Sequence, residues 1–234
     1  MSRRMANRLL AQLAETRTPN TRANVLEELR RLILSGGAPP GTQIPPAEIA
    51  DAFGVSPIPV REALKTLVGE GLIVHRRNAG YRVSQLSTEE LREIYFVRGT
   101  LEQAALAQSV ERIDAATLRA ARERHQELLV AVKYNDGKAF HDVSREFHRA
   151  LVVPCGMPRL LNMFEATWNL TEPFQAMRSV DGRTQAALNA DHEALLDAFD
   201  ARDTAAVLEV ARRHHRRLET AIVETAARLD VLHD

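Results

Sequence analysis

The sequence has one cysteine, Cys155, and so no second thiol with which to close an internal disulfide. A chain without that crosslink suits a reducing compartment, and a cytoplasmic location is expected. Its neighbours Val152, Val153 and Met157 are apolar, which points the thiol towards packing rather than reactivity. No apolar run approaches the roughly 20 residues of a membrane-spanning helix, so no membrane partner is expected. The start, Met1-Ser2-Arg3-Arg4, is basic, but Leu9-Leu10-Ala11-Gln12 is no secretory core and Glu15 argues against a transit peptide. Internal repeats and low-complexity tracts are also missing.

Net charge is absent too: 31 Lys and Arg balance 31 Asp and Glu. The balance hides a split. Residues 1–86 carry 12 basic against 7 acidic residues (+5), and residues 87–234 carry 19 against 24 (−5). A basic front suits a polyanion, because neutralising phosphates supplies most sequence-independent DNA affinity. What is present is ordinary for a globular protein: 234 residues, 45% hydrophobic and 26% charged, enough for one large domain or two modest ones.

Residues 1–19 read as a tail, frayed or helical. Leu26, Leu29, Ile33 and Leu34 recur at helical spacing over 21–35, and Gly36-Gly37-Ala38-Pro39-Pro40-Gly41 stops that helix. Pro45-Pro46 opens a short helix whose inner face is Ile49, Ala50 and Phe53, and Gly54 ends it. Ser56 is an N-cap candidate for the next helix, 57–69. Leu72–Arg77, a turn at Asn78-Ala79-Gly80, and Tyr81–Ser84 then read as a β-hairpin. From Ser87 the pattern is helical, with helices near 87–109, 114–134, 137–152, 158–178, 183–201 and 203–229, which makes an antiparallel bundle of about six. The expected fold is therefore mainly α: a winged helix-turn-helix over 20–86 (three helices plus a hairpin), then an all-α bundle over 87–234.

A helix-turn-helix needs a small residue where its helices cross, a left-handed glycine in the turn and a branched apolar residue to seat the second helix. Ala50, Gly54 and Val60 stand at those intervals. The second helix would then lie in the major groove with its N-terminal residues towards base edges. That presents Ser56, Pro57, Ile58 and Arg61, with Lys65 one turn on. Arg61 is the base-reading candidate, since guanidinium pairs bidentately with guanine; the alternative is a solvent-facing arginine paired with Glu62. Arg76, Arg77, Asn78 and Gly80 at the hairpin tip suit phosphate or minor-groove contact, or form an ordinary charged turn.

Gly41-Thr42-Gln43-Ile44-Pro45, Ala50–Ser56, Pro59-Val60-Arg61-Glu62-Ala63-Leu64 and Glu70-Gly71-Leu72-Ile73 together resemble the GntR family of bacterial regulators over about residues 22–86. Family members usually carry arginine and then threonine after the Val-Ser, where this chain has Pro57 and Ile58. That leaves the module intact and puts an inherited operator sequence in doubt.

Three histidines on three expected helices, His148, His192 and His214, are able to converge in a bundle as metal ligands do, although such histidines are also common as satisfied core or surface residues. Arg98, Leu101-Glu102, Phe147–Leu151, His192–Leu196 and Asp203–His214 resemble the FCD effector domain of the FadR-type GntR subfamily. The resemblance implies that the three histidines match metal-binding positions, with His214 preferred to His215 for its interval from Asp203. The subfamily's aspartate one turn before the middle histidine is Ser144 here, and Asp142 lies on another face of the helix. What remains is three imidazoles plus water or an effector oxygen, for a divalent ion such as zinc, nickel or manganese. Arg98 is the candidate to hold the carboxylate of a small organic-acid effector, unless it pairs with Glu102 on the surface. Glu102 and Trp168 are further effector-site candidates.

The reading is a homodimeric, effector-modulated regulator, a repressor in the commoner sense, on palindromic double-stranded operator DNA. Two other readings stay open: a metal enzyme using the three histidines, and a metal-free dimeric DNA-binding protein without effector.

Overall fold

The computed structural model describes residues 9–11, 13 and 22–233. The chain divides into two compact units. One runs to Ser87 and takes in Trp168–Gln175 and the chain end from Val231; the other comprises Thr88–Thr167 and Ala176–Asp230.

The first unit contains α1 (Arg22–Leu34), β1 (Gln43–Ile44), α2 (Pro46–Phe53), α3 (Pro57–Gly69), β2 (Ile73–Arg76) and β3 (Gly80–Val83). Its core joins Leu29 and Ile33 of α1, Ile49 and Ala50 of α2, and Val60, Leu64 and Leu67 of α3, all buried. Most of the expected tail lies outside the described residues, but Leu9 and Leu13 are helical and buried in this core. Gly54 caps α2 at φ 63°, ψ 34°, a left-handed geometry that costs glycine little. Ser56 stands at the N-cap of α3 but makes no side-chain capping bond, and Pro57 fills the first turn, where no amide donor is needed.

The hairpin forms as expected, with Ile73 opposite Val83 and His75 opposite Tyr81. Asn78 turns it at φ 64°. The sequence reading missed one strand: Gln43–Ile44 pairs antiparallel with β3, giving the order β1-β3-β2. Two residues are too few for an alternation to show.

The second unit holds α4 (Thr88–Arg112), α5 (Ala115–Tyr134), α6 (Gly137–Val152), α8 (Gly182–Asp200) and α9 (Thr204–Arg228). Aspartates 114, 136, 181 and 203 each accept a backbone N–H at the start of α5, α6, α8 and α9, so every one of these short joins ends in an N-cap. The packing closes a ring: α4 lies against α9, α9 against α8, α8 against α5, α5 against α6, and α6 against α4. Cys155 is buried, as its apolar neighbours implied.

One expected helix needs correction. The helix predicted for 158–178 is α7 (Pro158–Thr171), followed by 3-10 turns at Glu172–Phe174 and Ala176–Ser179. Pro173 brings no N–H to continue the ladder, and Gln175 takes a left-handed φ of 52°.

Candidate metal centre and nucleic-acid interface

In the first unit α3 divides cleanly. Val60, Ala63, Leu64 and Leu67 face the core, while Ser56, Pro57, Ile58, Arg61 and Lys65 are exposed. Ile58 is 70% exposed. The pairing imagined for Arg61 goes elsewhere: Lys65 Nζ donates to Glu62 Oε1 at 2.8 Å. Arg61 makes no hydrogen bond or ion pair with the described residues, leaving its guanidinium available. Arg76, Arg77 and Asn78 are exposed at the hairpin tip and Gly80 is partly buried beside them.

In the second unit, residues from the ring of helices meet at its centre. His148 comes from α6, His192 from α8 and His214 from α9, all buried. Each offers a ligand nitrogen, and these three atoms lie within 4.8 Å of one another. His148 Nε2 and His192 Nε2 are 3.2 Å apart. A tetrahedral zinc ion with Zn–N bonds of about 2.0–2.1 Å sets its nitrogens roughly 3.3 Å apart, which the His148–His192 pair matches.

Polar groups surround the three rings. His148 Nδ1 donates to Glu102 Oε1 at 2.6 Å, and His192 Nδ1 lies 3.4 Å from Asn189 Oδ1. His148 Nε2 and His192 Nε2 thus face each other across 3.2 Å, close enough for one cation to take both. On the third ring, His214 Nδ1 faces Asp191 Oδ2 at 3.8 Å. Burial drives His192 well below the ordinary imidazole range, with His214 and His148 adding to it. Burial likewise lowers His214 to about 4, against an opposing contribution from Asp191. Both rings are therefore neutral at physiological pH, the state that binds metal.

Two buried carboxylates flank the cluster. Glu102 Oε2 accepts from His215 Nε2 at 2.6 Å, so each of its oxygens is taken by a histidine. Burial would raise Glu102, but the charges and hydrogen bonds of His148 and His215 outweigh it and hold the carboxyl well below its usual range. Asp191 accepts from Arg213 Nε at 2.9 Å and from Arg217. Burial pushes Asp191 up, and His214 and the two arginines more than offset it. Sequence reasoning missed Asp191 and Asn189, which carry no metal motif, and weighed His215 only as a ligand and not as a partner of Glu102.

Arg98 is no surface residue. It is 1% exposed on α4, with its guanidinium 3.9 Å over the Tyr95 ring. Ser144 is buried one turn before His148 on α6. Trp168 is buried in the first unit and Phe174 with it, so the structure does not bring Trp168 into the unit that holds the histidines.

Residues 21–83 match the family described as bacterial regulatory proteins, gntR family, and residues 93–217 match the FCD domain. The chain belongs to the GntR family of bacterial transcriptional regulators. This GntR–FCD chain is 31% identical over 201 residues to a probable D-xylose utilization operon transcriptional repressor of Paenarthrobacter nicotinovorans, covering 83% of this chain and 87% of that protein. It is 29% identical over 141 residues to the uncharacterized HTH-type regulator YdhC of Bacillus subtilis, where the match spans 59% of this chain and 62% of the relative's length. Among solved structures, E. coli McbR/YncC superposes with a TM-score of 0.75 over 88% of this chain and 99% of that one, at 23% identity, a likeness of fold. Family and relatives are transcriptional regulators, so the enzyme reading of the three histidines falls. Among the described residues no helix is long and apolar enough to cross a membrane.

Proposed function

We propose that this GntR–FCD regulator is a homodimeric repressor whose operator affinity is set by a small organic acid bound beside a divalent metal in the helical domain. The winged domain would be 20–86 and the sensing and dimerising domain 87–234. The observation that carries the reading is the meeting of three buried imidazoles, two of them driven neutral, at ligand spacing. His148, His192 and His214 would hold zinc, nickel or manganese, which when bound supplies a positive charge that an effector oxygen can complete. Ser144 contributes no carboxylate, so the three protein ligands bring no negative charge and leave room for an anionic one. Arg98, buried in the same unit, is the side chain to take an effector carboxylate.

On DNA, the N-terminal turn of α3 enters the major groove, Arg61 reads a guanine edge, Ile58 packs on an apolar base edge, and Arg76, Arg77 and Asn78 meet the backbone. A palindromic operator needs two such helices one helical turn apart, hence a dimer. A face of α4 with Phe96 72% exposed and Val97 beside it is suited to bury a second copy. The repressor sense is supported by the relative described as a probable repressor. That relative's name concerns a sugar; here a buried arginine and a metal held by three imidazoles would favour an acid.

A thermal-shift screen of small carboxylates, run with zinc and with chelator, tests the sensing half. One acid should raise the melting temperature only when metal is present and only with His192 intact. Equal shifts in chelator and in His192→Ala would overturn the metal-linked reading.

A further inference from the structure

We infer that Glu102 is the positioning carboxylate of the metal centre, supplying from behind His148 the negative charge that position 144 lacks, and that His215 holds Glu102 in place. The inference rests on the metal reading above and adds to it a second layer of residues.

Glu102 lies on α4, His148 on α6 and His215 on α9, so one carboxylate ties three elements of the ring together. Its two oxygens accept at 2.6 Å from His148 Nδ1 and at 2.6 Å from His215 Nε2. Each oxygen already accepts from a histidine and Glu102 stands outside the cluster of ligand atoms, and an anionic effector would be repelled by it. Its effect must therefore pass through the His148 ring. A carboxylate on Nδ1 fixes the tautomer, orients Nε2 and makes that nitrogen a stronger donor to a cation. Such outer partners typically change metal affinity by about 10–100-fold.

Two details show that the local packing serves the same bond. The hydrogen bond to Glu102 is the one that His215 makes among the described residues, its Nδ1 being buried without a partner. Gly99, one turn before Gln103 on α4, leaves the space the His215 ring fills: a Cβ there would stand 3.1 Å from His215 Cγ. His215, next to His214 in the chain, then has a role of its own.

The test is zinc affinity of the full chain by competition with a chromophoric chelator, together with cobalt(II) absorption as a report on geometry. Glu102→Gln should weaken zinc binding by about 10–100-fold. His215→Phe, which leaves the Glu102–His148 bond, should weaken it by less than Glu102→Gln does and alter the cobalt spectrum. Ser144→Asp placed in the Glu102→Gln background should recover most of the loss, which a purely structural role would not allow. Should Glu102→Gln fail to fold, the His215→Phe affinity and the cobalt spectrum decide instead. Zinc affinity of both variants within twofold of the parent, with binding still abolished by His192→Ala, would overturn the inference and leave the metal reading standing. No zinc binding by the parent chain, or binding unmoved by His192→Ala, would overturn the metal reading itself and this inference with it.

Discussion

On the proposed reading, Arg61 is the single side chain that carries specificity. It stands exposed at the flank of the buried face of α3, and its neighbour Glu62 is taken by Lys65. Arg61→Ala should cost about 1–3 kcal/mol against the preferred operator and relax discrimination at one base pair, as measured by fluorescence anisotropy on single-substitution duplexes. At the metal centre the residue scale is a matter of protons. His214 sits at about 4 when folded against 6.5 when unfolded, so between those pH values the unfolded chain binds more protons. Stability is therefore complete above about 6.5 and is lost as pH falls towards 4, on the order of 3 kcal/mol from this ring. Urea titrations of chelator-treated protein should show that loss, and His214→Gln should reduce it to what His192 contributes; a stability unchanged from pH 7 to pH 5 would contradict the buried, neutral state. Much of this site was legible in the sequence, because histidines and a helix-turn-helix spacing are conspicuous residue types. The second layer was not. Glu102 meets His148 and His215 across 46 and 113 residues of chain, and nothing in local periodicity reports such a pairing.

At the scale of elements, short joins place long helices. Gly137 opens α6, the helix of His148, and a Cβ there would lie 2.0 Å from the backbone oxygen of Arg178. Backbone cannot swing aside as a side chain can, so Gly137→Ala should destabilise the domain by about 1–3 kcal/mol in urea denaturation. Gly69→Ala makes the control, since a Cβ at Gly69 meets nothing within 4 Å. The wing makes a different prediction. Arg76→Ala with Arg77→Ala should weaken specific and random DNA alike and lower the salt dependence of binding by about one unit per lost phosphate contact. Helix positions were readable from apolar spacing and from the aspartate caps. The strand at Gln43–Ile44 was too short for its pattern to show, and α7 was drawn too long because Pro173 was not given its weight as a helix stop.

At the scale of the whole molecule, the basic front and acidic remainder correspond to a DNA-binding part and a helical part, each with its own core. Dimerisation through the exposed face of α4 predicts that Phe96→Glu shifts the protein from dimer to monomer in light scattering and weakens binding to a two-half-site duplex far more than to a single half-site. Effector, metal and DNA must be linked reciprocally: whatever acid loosens the operator complex must itself bind less tightly when the operator is present. The direct measurement is anisotropy of the full chain on an operator selected from random duplexes, with zinc present, with chelator, and with the acid found by thermal shift. The account predicts tight binding to one palindrome, changed at least about 10-fold by the acid in zinc and left unchanged by it in chelator or in His192→Ala. An operator affinity that the acid alters equally in all three cases, or in none, would contradict it.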